Sequence, residues 1–214
     1  MSVGRELIEV DRGLGEEAAA VLTAALLRYP TMRWICDAER PGFEARLHAV
    51  YRVALAMQRA EGQPTLALRE GSRLAAVAVL HGPGRRLTPR SALVGLLGSL
   101  FSPARGTMAR GRRYEGAIER LRPPRSHHFL SVIGVGPELQ RRGHGRRLMN
   151  ALHERADRDP RSAGVCLDTC DEDNRVWYEG LGYGVVGETR TGPLRQWVLF
   201  RPAAGQPGPT ARTD

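Results

Sequence analysis

His128-Phe-Leu-Ser-Val-Ile-Gly-Val-Gly-Pro-Glu-Leu-Gln-Arg-Arg-Gly-His-Gly-Arg-Arg-Leu-Met-Asn150 decides how this chain is read. Residues 128–135 form a short apolar run closed by Gly136-Pro137, the pattern of a strand ended by a turn. Gln140-Arg141-Arg142-Gly143-His144-Gly145 then leads into an amphipathic helix. Glycines at 143 and 145 let backbone N–H groups approach a ligand without side-chain obstruction. N–H groups at a helix start, at the positive end of its dipole, form an anion site. Arg141, Arg142, Arg146 and Arg147 add charge around it. The stretch reads as a phosphate cradle.

Three kinds of cradle are conceivable. A P-loop requires Gly-x-x-x-x-Gly-Lys-Ser/Thr, and this chain has no lysine. A dinucleotide fingerprint requires Gly-x-Gly-x-x-Gly directly after a strand, whereas Gly143-x-Gly145-x-x is followed by Leu148, several residues past the strand. Strand, turn, Gln/Arg-x-x-Gly-x-Gly/Ala and helix, by contrast, resemble the acyl-CoA motif of the GNAT-family N-acetyltransferases. A second signature follows in the family's order. After the apolar run 163–168 comes Thr169-Cys-Asp-Glu-Asp-Asn174-Arg-Val-Trp-Tyr178-Glu-Gly-Leu-Gly182-Tyr183. It resembles the family segment in which an Asn opens a short helix, a Tyr lies one turn on, and Glu-x-x-Gly-Phe/Tyr closes it. Asn174 and Tyr178 share a helix face, and Gly182 suits a helix end that a side chain would resist. The resemblance covers residues 127–200 well, and residues 1–80 only by the order of elements.

That resemblance implies an α/β (α+β) fold: a central mixed, mostly antiparallel sheet of about six to seven strands flanked by helices. It also implies acetyl-CoA as cofactor and an N-acetyltransferase that moves the acetyl group directly to a primary amine of a small molecule or peptide. Ile133, Gly134 and Val135 would offer backbone bonds to the pantetheine arm, and an N–H there would polarise the thioester carbonyl. Gln140, Arg141, Arg142, Gly143, His144, Gly145 and Arg146 would hold the pyrophosphate. Asn174 would contact the pantetheine or cap its helix. Tyr178 matches the tyrosine that protonates the departing thiolate. Family members often carry a Glu early in the cofactor strand as base, but Phe129 stands at that place here. Asp168, ending the next strand, is the first alternative base and His127 the second; a water chain with no dedicated base is the third.

Composition narrows the rest. The 214 residues, 42% of them hydrophobic, suffice for one domain with a proper core. The apolar runs Ala18–Leu27 and Ala92–Phe101 are too short to span a bilayer. The N-terminus lacks the basic-then-apolar pattern of a signal peptide. Cys36, Cys166 and Cys170 are odd in number and have no partners at zinc spacing, so reduced thiols in the cytoplasm and no metal are expected. The net charge of +9 is carried by arginine, with Arg105, Arg110, Arg112, Arg113, Arg120, Arg122 and Arg125 crowded together. These suit a solvated surface, the 3′-phosphate of CoA or an anionic acceptor. A nucleic-acid module is disfavoured because only Tyr114 interleaves with them. A catalytically idle acyl-CoA-binding scaffold is the other competing reading. The expected assembly is a monomer or homodimer, away from the membrane.

Along the chain, Arg5–Val10 suggests a strand, and Gly15–Arg28 a helix stopped by Tyr29-Pro30. Pro41–Arg59 suggests a second helix with Phe43, Leu47, Val50, Ala54 and Met57 on one side. Thr65–Arg69 and Arg73–His81 suggest a hairpin. A basic insert over 89–122, helical at Ser91–Phe101 and Thr107–Leu121, either pads the exterior or shapes the acceptor pocket. One domain over residues 1–200 is expected, followed by a disordered tail over 201–214.

Overall fold

The computed structural model describes residues 5–84, 88–100 and 106–208. Strand β1 (Arg5–Glu9) leads to helix α1 (Gly15–Leu26), which buries Ala18, Ala19 and Leu22 and carries Glu16 and Glu17 at its electropositive start. Tyr29-Pro30 does stop α1, but it also opens a short helix, α2 (Pro30–Ile35). Proline suits that first turn, because the N–H it lacks would be unused there. In α3 (Phe43–Ala60) the apolar side divides in two. Leu47, Tyr51 and Leu55 are buried, while Val50, Ala54 and Met57 stay half-accessible. Buried Arg46 closes the α2–α3 loop by donating to the carbonyls of Cys36, Asp37, Arg40 and Pro41.

The hairpin β2 (Thr65–Glu70) and β3 (Arg73–His81) precedes α4 (Pro89–Leu100) and α5 (Met108–Glu119), which occupy the insert. Phe101 and Arg105 lie outside the described residues. Strand β4 (His128–Val135), a single 3-10 turn at Pro137–Leu139 and α6 (His144–Arg158) follow. The chain then forms β5 (Gly164–Thr169), α7 (Glu172–Glu179), β6 (Gly184–Thr191) and β7 (Leu194–Pro202). The seven strands make one sheet in the order β1-β2-β3-β4-β5-β7-β6. Only β4 and β5 run parallel, and α6 makes the crossover that a parallel pair needs.

Alternation along the strands sorts the core into two faces. Leu80, Leu130, Val165 and Leu167 meet Leu148, Met149 and Leu152 of α6 on one face. Val77 and Val79 meet α1 and α3 on the other, where Phe129, Cys166 and Val198 also receive Tyr114 and Ile118 of α5. The C-terminal boundary expected at residue 200 is too early. Strand β7 pairs Pro202 with Gly164, Arg201 forms an ion pair with Asp157 at 3.0 Å, and Ala203 is buried. Of the expected tail, residues 209–214 lie outside the described residues.

One irregularity prepares the site. Strand β4 pairs with β5 only from His128 to Leu130, opposite Val165 to Leu167. Its pairing with β3 slips between Val79 and Leu80, leaving Ser131 as the extra residue. A bulge of this kind bends its strand. Beyond it, residues 131–135 have no β5 partner, and a cleft opens between the two strands.

Candidate active site

The cleft has a volume of about 1360 Å³ and lies at the C-terminal ends of β4 and β5. A small depression of about 150 Å³ near Ser126 and Arg161 is at the opposite strand ends. Backbone direction identifies the free edge of β4. Gly136 donates its N–H to Ala75 of β3 at 2.9 Å. Because direction alternates along a strand, the N–H and C=O groups of Ile133 and Val135 point the other way, into the cleft. The Val135 carbonyl indeed accepts a bond from the Gln140 side chain at 3.3 Å, leaving a second lone pair. Gly134 has a different task from its neighbours: a Cβ there would lie 2.9 Å from Ala25 and 3.1 Å from Leu22. It admits α1 onto the sheet, and its backbone groups face β3.

The start of α6 forms the next wall. Arg141 (φ 61°) and Gly143 (φ 85°) both adopt left-handed backbone, which curls the loop around its own N–H groups. Arg147 makes the first intrahelical bond, to Gly143 at 3.0 Å, and no side chain caps the helix. The N–H groups of His144, Gly145 and Arg146 are therefore left for an outside acceptor. Exposed Arg141, Arg142, Arg146 and Arg147 surround them. Steric room is not what glycine provides at 143, where a Cβ would meet nothing within 4 Å; the backbone angle is the requirement. At Gly145 a Cβ would sit 3.6 Å from Trp177 and 3.8 Å from Val135.

The part expected of His144 in the cradle is that of its backbone N–H, and its side chain is placed elsewhere. The ring is buried, its Nε2 is 3.1 Å from Glu70 Oε2, and the pair is not aligned as a hydrogen bond. Only its backbone N–H faces the cradle.

Helix α7 closes the far side. Asp171 is its cap, accepting the Asn174 N–H at 2.8 Å. Asn174 therefore stands inside the first turn rather than opening the helix, and its side chain lines the cleft one turn before Tyr178. Tyr178 is 7% exposed and packs against Trp177 and Tyr183. Burial, and secondarily the charge of Asp168, raise its pKa, so the phenol stays protonated.

Asp168, at the end of β5, faces the same cleft and keeps a partly accessible surface. Protein atoms surround it, and this burial raises its pKa to about 6 against the opposing pull of a hydrogen bond from Tyr114 and the charge of Arg122. Tyr114, from the insert helix α5, donates directly to Asp168 Oδ2. Next to it, the Tyr29 hydroxyl lies 2.9 Å from Thr169 Oγ1 and accepts the Cys170 N–H at 3.3 Å.

The pattern described as the acetyltransferase (GNAT) family matches residues 32–183, well over half of the chain. This chain belongs to the GNAT acetyltransferase family. No curated protein matches it. Solved structures do. A Corynebacterium glutamicum protein described as histone acetyltransferase HPA2 and related acetyltransferase aligns at 19% identity and TM-score 0.70, over 95% of this chain and 98% of that one. Arylalkylamine N-acetyltransferase 2 from Aedes aegypti aligns at 11% and 0.66, over 93% and 99%. The ribosomal-protein-S18-alanine N-acetyltransferase from Escherichia coli aligns at 13% and 0.54, over 99% and 100%. At such identities these likenesses concern the fold.

Family members generally use acetyl-CoA, and this cleft fits it. A free strand edge can meet an amide-bearing arm, and an uncapped helix start flanked by arginines can meet a pyrophosphate. At the place of the family's strand glutamate, Phe129 carries the Arg122 guanidinium 3.4 Å above its ring centre. His127 is outside the cleft. Its Nδ1 lies 2.6 Å from the Arg125 carbonyl, its ring meets Phe200 edge-on, and burial lowers its pKa. The crowded arginines are partly consumed by the fold: Arg110 binds Trp34 and Asp37, Arg122 binds Glu119, and Arg125 binds Gln206. Sequence reasoning missed the Tyr114–Asp168 contact, because Tyr114 stood out only as the one aromatic residue among the clustered arginines, 54 positions before Asp168. Tyr29 stood out in the sequence only as part of the Tyr29-Pro30 helix stop, with no signal that its hydroxyl reaches the end of β5. Among the described residues, no helix is long and apolar enough to cross a membrane.

Proposed function

We propose that the protein is an acetyl-CoA-dependent N-acetyltransferase acting on a primary amine. The observation that carries this reading is the convergence of three features on one cleft: the free edge of β4, the Tyr178 hydroxyl and the Asp168 carboxylate. Bound acetyl-CoA supplies an acyl carbon activated by a thiolate leaving group. Ile133 and Val135 hold its arm along the strand edge, and an N–H of this edge supports the carbonyl oxygen as charge develops there. The N–H groups of His144, Gly145 and Arg146, with the loop arginines, hold the pyrophosphate.

Asp168, directly or through one water, takes a proton from the incoming ammonium so that its nitrogen can attack. A carboxylate with pKa about 6 is a better base than an ordinary one. The ammonium itself, near ~10 in water, becomes more acidic in a desolvated cleft. As the C–N bond forms and the C–S bond breaks, Tyr178 gives its proton to sulfur. Two protons leave nitrogen overall: one balances that on the thiol, and the other passes to solvent. The two residues cooperate, since neutralising Asp168 removes part of what holds the Tyr178 pKa up. Three free cysteines fit a reducing cytoplasm.

Thiol release from acetyl-CoA, measured across amine classes, tests the reading. Amine-dependent release is expected, together with a rise in melting temperature on adding acetyl-CoA. A melting rise without release from any amine would instead favour an idle acyl-CoA-binding scaffold.

A further inference from the structure

Away from the cofactor wall, the same cleft continues between α1–α3 and α5, and its chemistry changes. Met32, Ile35, Val50, Val53, Ala54 and Met57 line it with half-accessible apolar surface. The insert helix α4 braces this wall from behind. A Cβ at Gly95 would lie 2.7 Å from the Met57 sulfur, and one at Gly98 would lie 2.6 Å from Val53. Glycine is disfavoured inside a helix relative to alanine, so the close seat of α4 on Val53 and Met57 is kept at a cost to the helix. Opposite, Gly111 and Gly116 of α5 leave their side of the cleft open: a Cβ at 116 meets nothing within 4 Å.

The few charges in this half are engaged. Asp168 is held by Tyr114, Glu119 is paired with Arg122 at 2.5 Å, and Arg112 and Glu115, the latter engaged by a contact of its own, also line the wall. One ammonium can be received at Asp168. Further ammonium groups of a polyamine would meet the apolar wall and two arginines, with only the engaged Glu115 and Glu119 as acids.

We propose that the acceptor is a hydrophobic monoamine, a single primary ammonium on an alkyl or aryl body, whose body lies along the α2–α3 wall while its nitrogen reaches Asp168. This rests on the N-acetyltransferase reading and narrows it to a substrate class.

The test is a homologous series of n-alkylamines from propylamine to octylamine, with phenethylamine, spermidine, an aminoglycoside and a short peptide as comparators, read as kcat/KM. Each methylene buried on the wall should raise kcat/KM about fourfold until the chain outgrows the cleft. Phenethylamine should exceed spermidine, the aminoglycoside and the peptide. Ala54→Glu puts a charge in the middle of the wall. With the acetyl-CoA melting shift retained as proof of folding, it should flatten the alkyl series and narrow the gap to spermidine. A flat series in the wild type, with spermidine, the aminoglycoside or the peptide turned over best, overturns the substrate class and leaves the acetyltransferase reading standing. No acetylation of any amine, with the melting shift present, overturns both.

Discussion

The two halves of the cleft are built from different materials. The half formed by β4, α6 and α7 presents mainly backbone to a ligand: strand-edge groups of Ile133 and Val135, helix-start N–H groups at 144–146, and left-handed turns at Arg141 and Gly143. The half formed by α1–α3 and α5 works through side chains, mostly apolar ones. Backbone recognition demands special residues at fixed spacing, so it leaves a motif. An apolar wall demands only hydrophobic surface of the right shape, which many sequences supply. The constant ligand is thus written legibly and the variable one is not.

Asp168 belongs to the seam between the halves, and altering it should have the largest effect. Asp168→Asn keeps an acceptor for Tyr114 but removes the proposed base, and should lower kcat by about 100- to 10,000-fold. In the wild type kcat/KM should fall below about pH 6 as Asp168 gains a proton, and the variant should lack that limb. Stability moves the opposite way. A carboxyl whose folded pKa is raised from 3.8 to about 6 favours the fold when protonated; that contribution is full below pH 4 and lost as pH rises through 6. The variant should therefore melt higher than wild type at pH 8, by an equivalent of up to about 3 kcal/mol, and gain nothing at pH 4. A loss of stability at pH 8 would show that the charge is not costly where it stands.

Tyr178→Phe is next. It retains the ring packed on Trp177 and Tyr183 and removes only the hydroxyl. The expected fall in kcat is roughly 10- to 1,000-fold, with little change in acetyl-CoA affinity, because the proton moves only as sulfur departs. An unchanged kcat when chemistry limits turnover would reduce Tyr178 to packing.

Gly143→Val asks whether the backbone half is as strict as its motif. A β-branched residue resists left-handed backbone by about 1–3 kcal/mol, so the acetyl-CoA dissociation constant should rise about tenfold by calorimetry. Gly145→Val should do likewise for a different reason, since its methyl groups would press on Trp177 and Val135. Equal affinity in both variants would break the assignment of the cradle.

The contrast also explains what could be read in advance. The 128–150 stretch yields strand, turn and helix because apolar period, Gly-Pro and the paired glycines agree. Asn174 and Tyr178 fall on one helix face because a four-residue spacing must place them so. What stayed hidden depends on contacts distant in sequence. That the His144 ring is buried beside Glu70, and that Phe129 stacks under Arg122, follows only from folding. Val50, Ala54 and Met57 share a stripe with Leu47, and only the tertiary packing decides which are core and which are wall. Gly134 follows the same rule, set by Leu22 and Ala25 more than a hundred residues earlier.

Tyr114→Phe gives the smallest effect and the sharpest view of the seam. The insert helix α5 brings this hydroxyl to Asp168 across 54 positions of sequence, so the apolar half reaches into the chemistry of the other. The ring is buried among Ile118, Phe129 and Cys166, and phenylalanine preserves that packing. What is lost is a hydrogen bond that pulls the Asp168 pKa down against burial. Without it the acidic limb of kcat/KM should move above about 6. A bond of about 1 kcal/mol corresponds to roughly a fivefold drop in rate on that limb. Raising the pH should restore the rate towards the wild-type plateau, since the carboxylate is then formed without help. A role in packing alone would lower the rate equally at every pH and leave the limb in place. If the limb stays near 6 in this variant, Tyr114 does not tune Asp168, and the insert serves the acceptor half only.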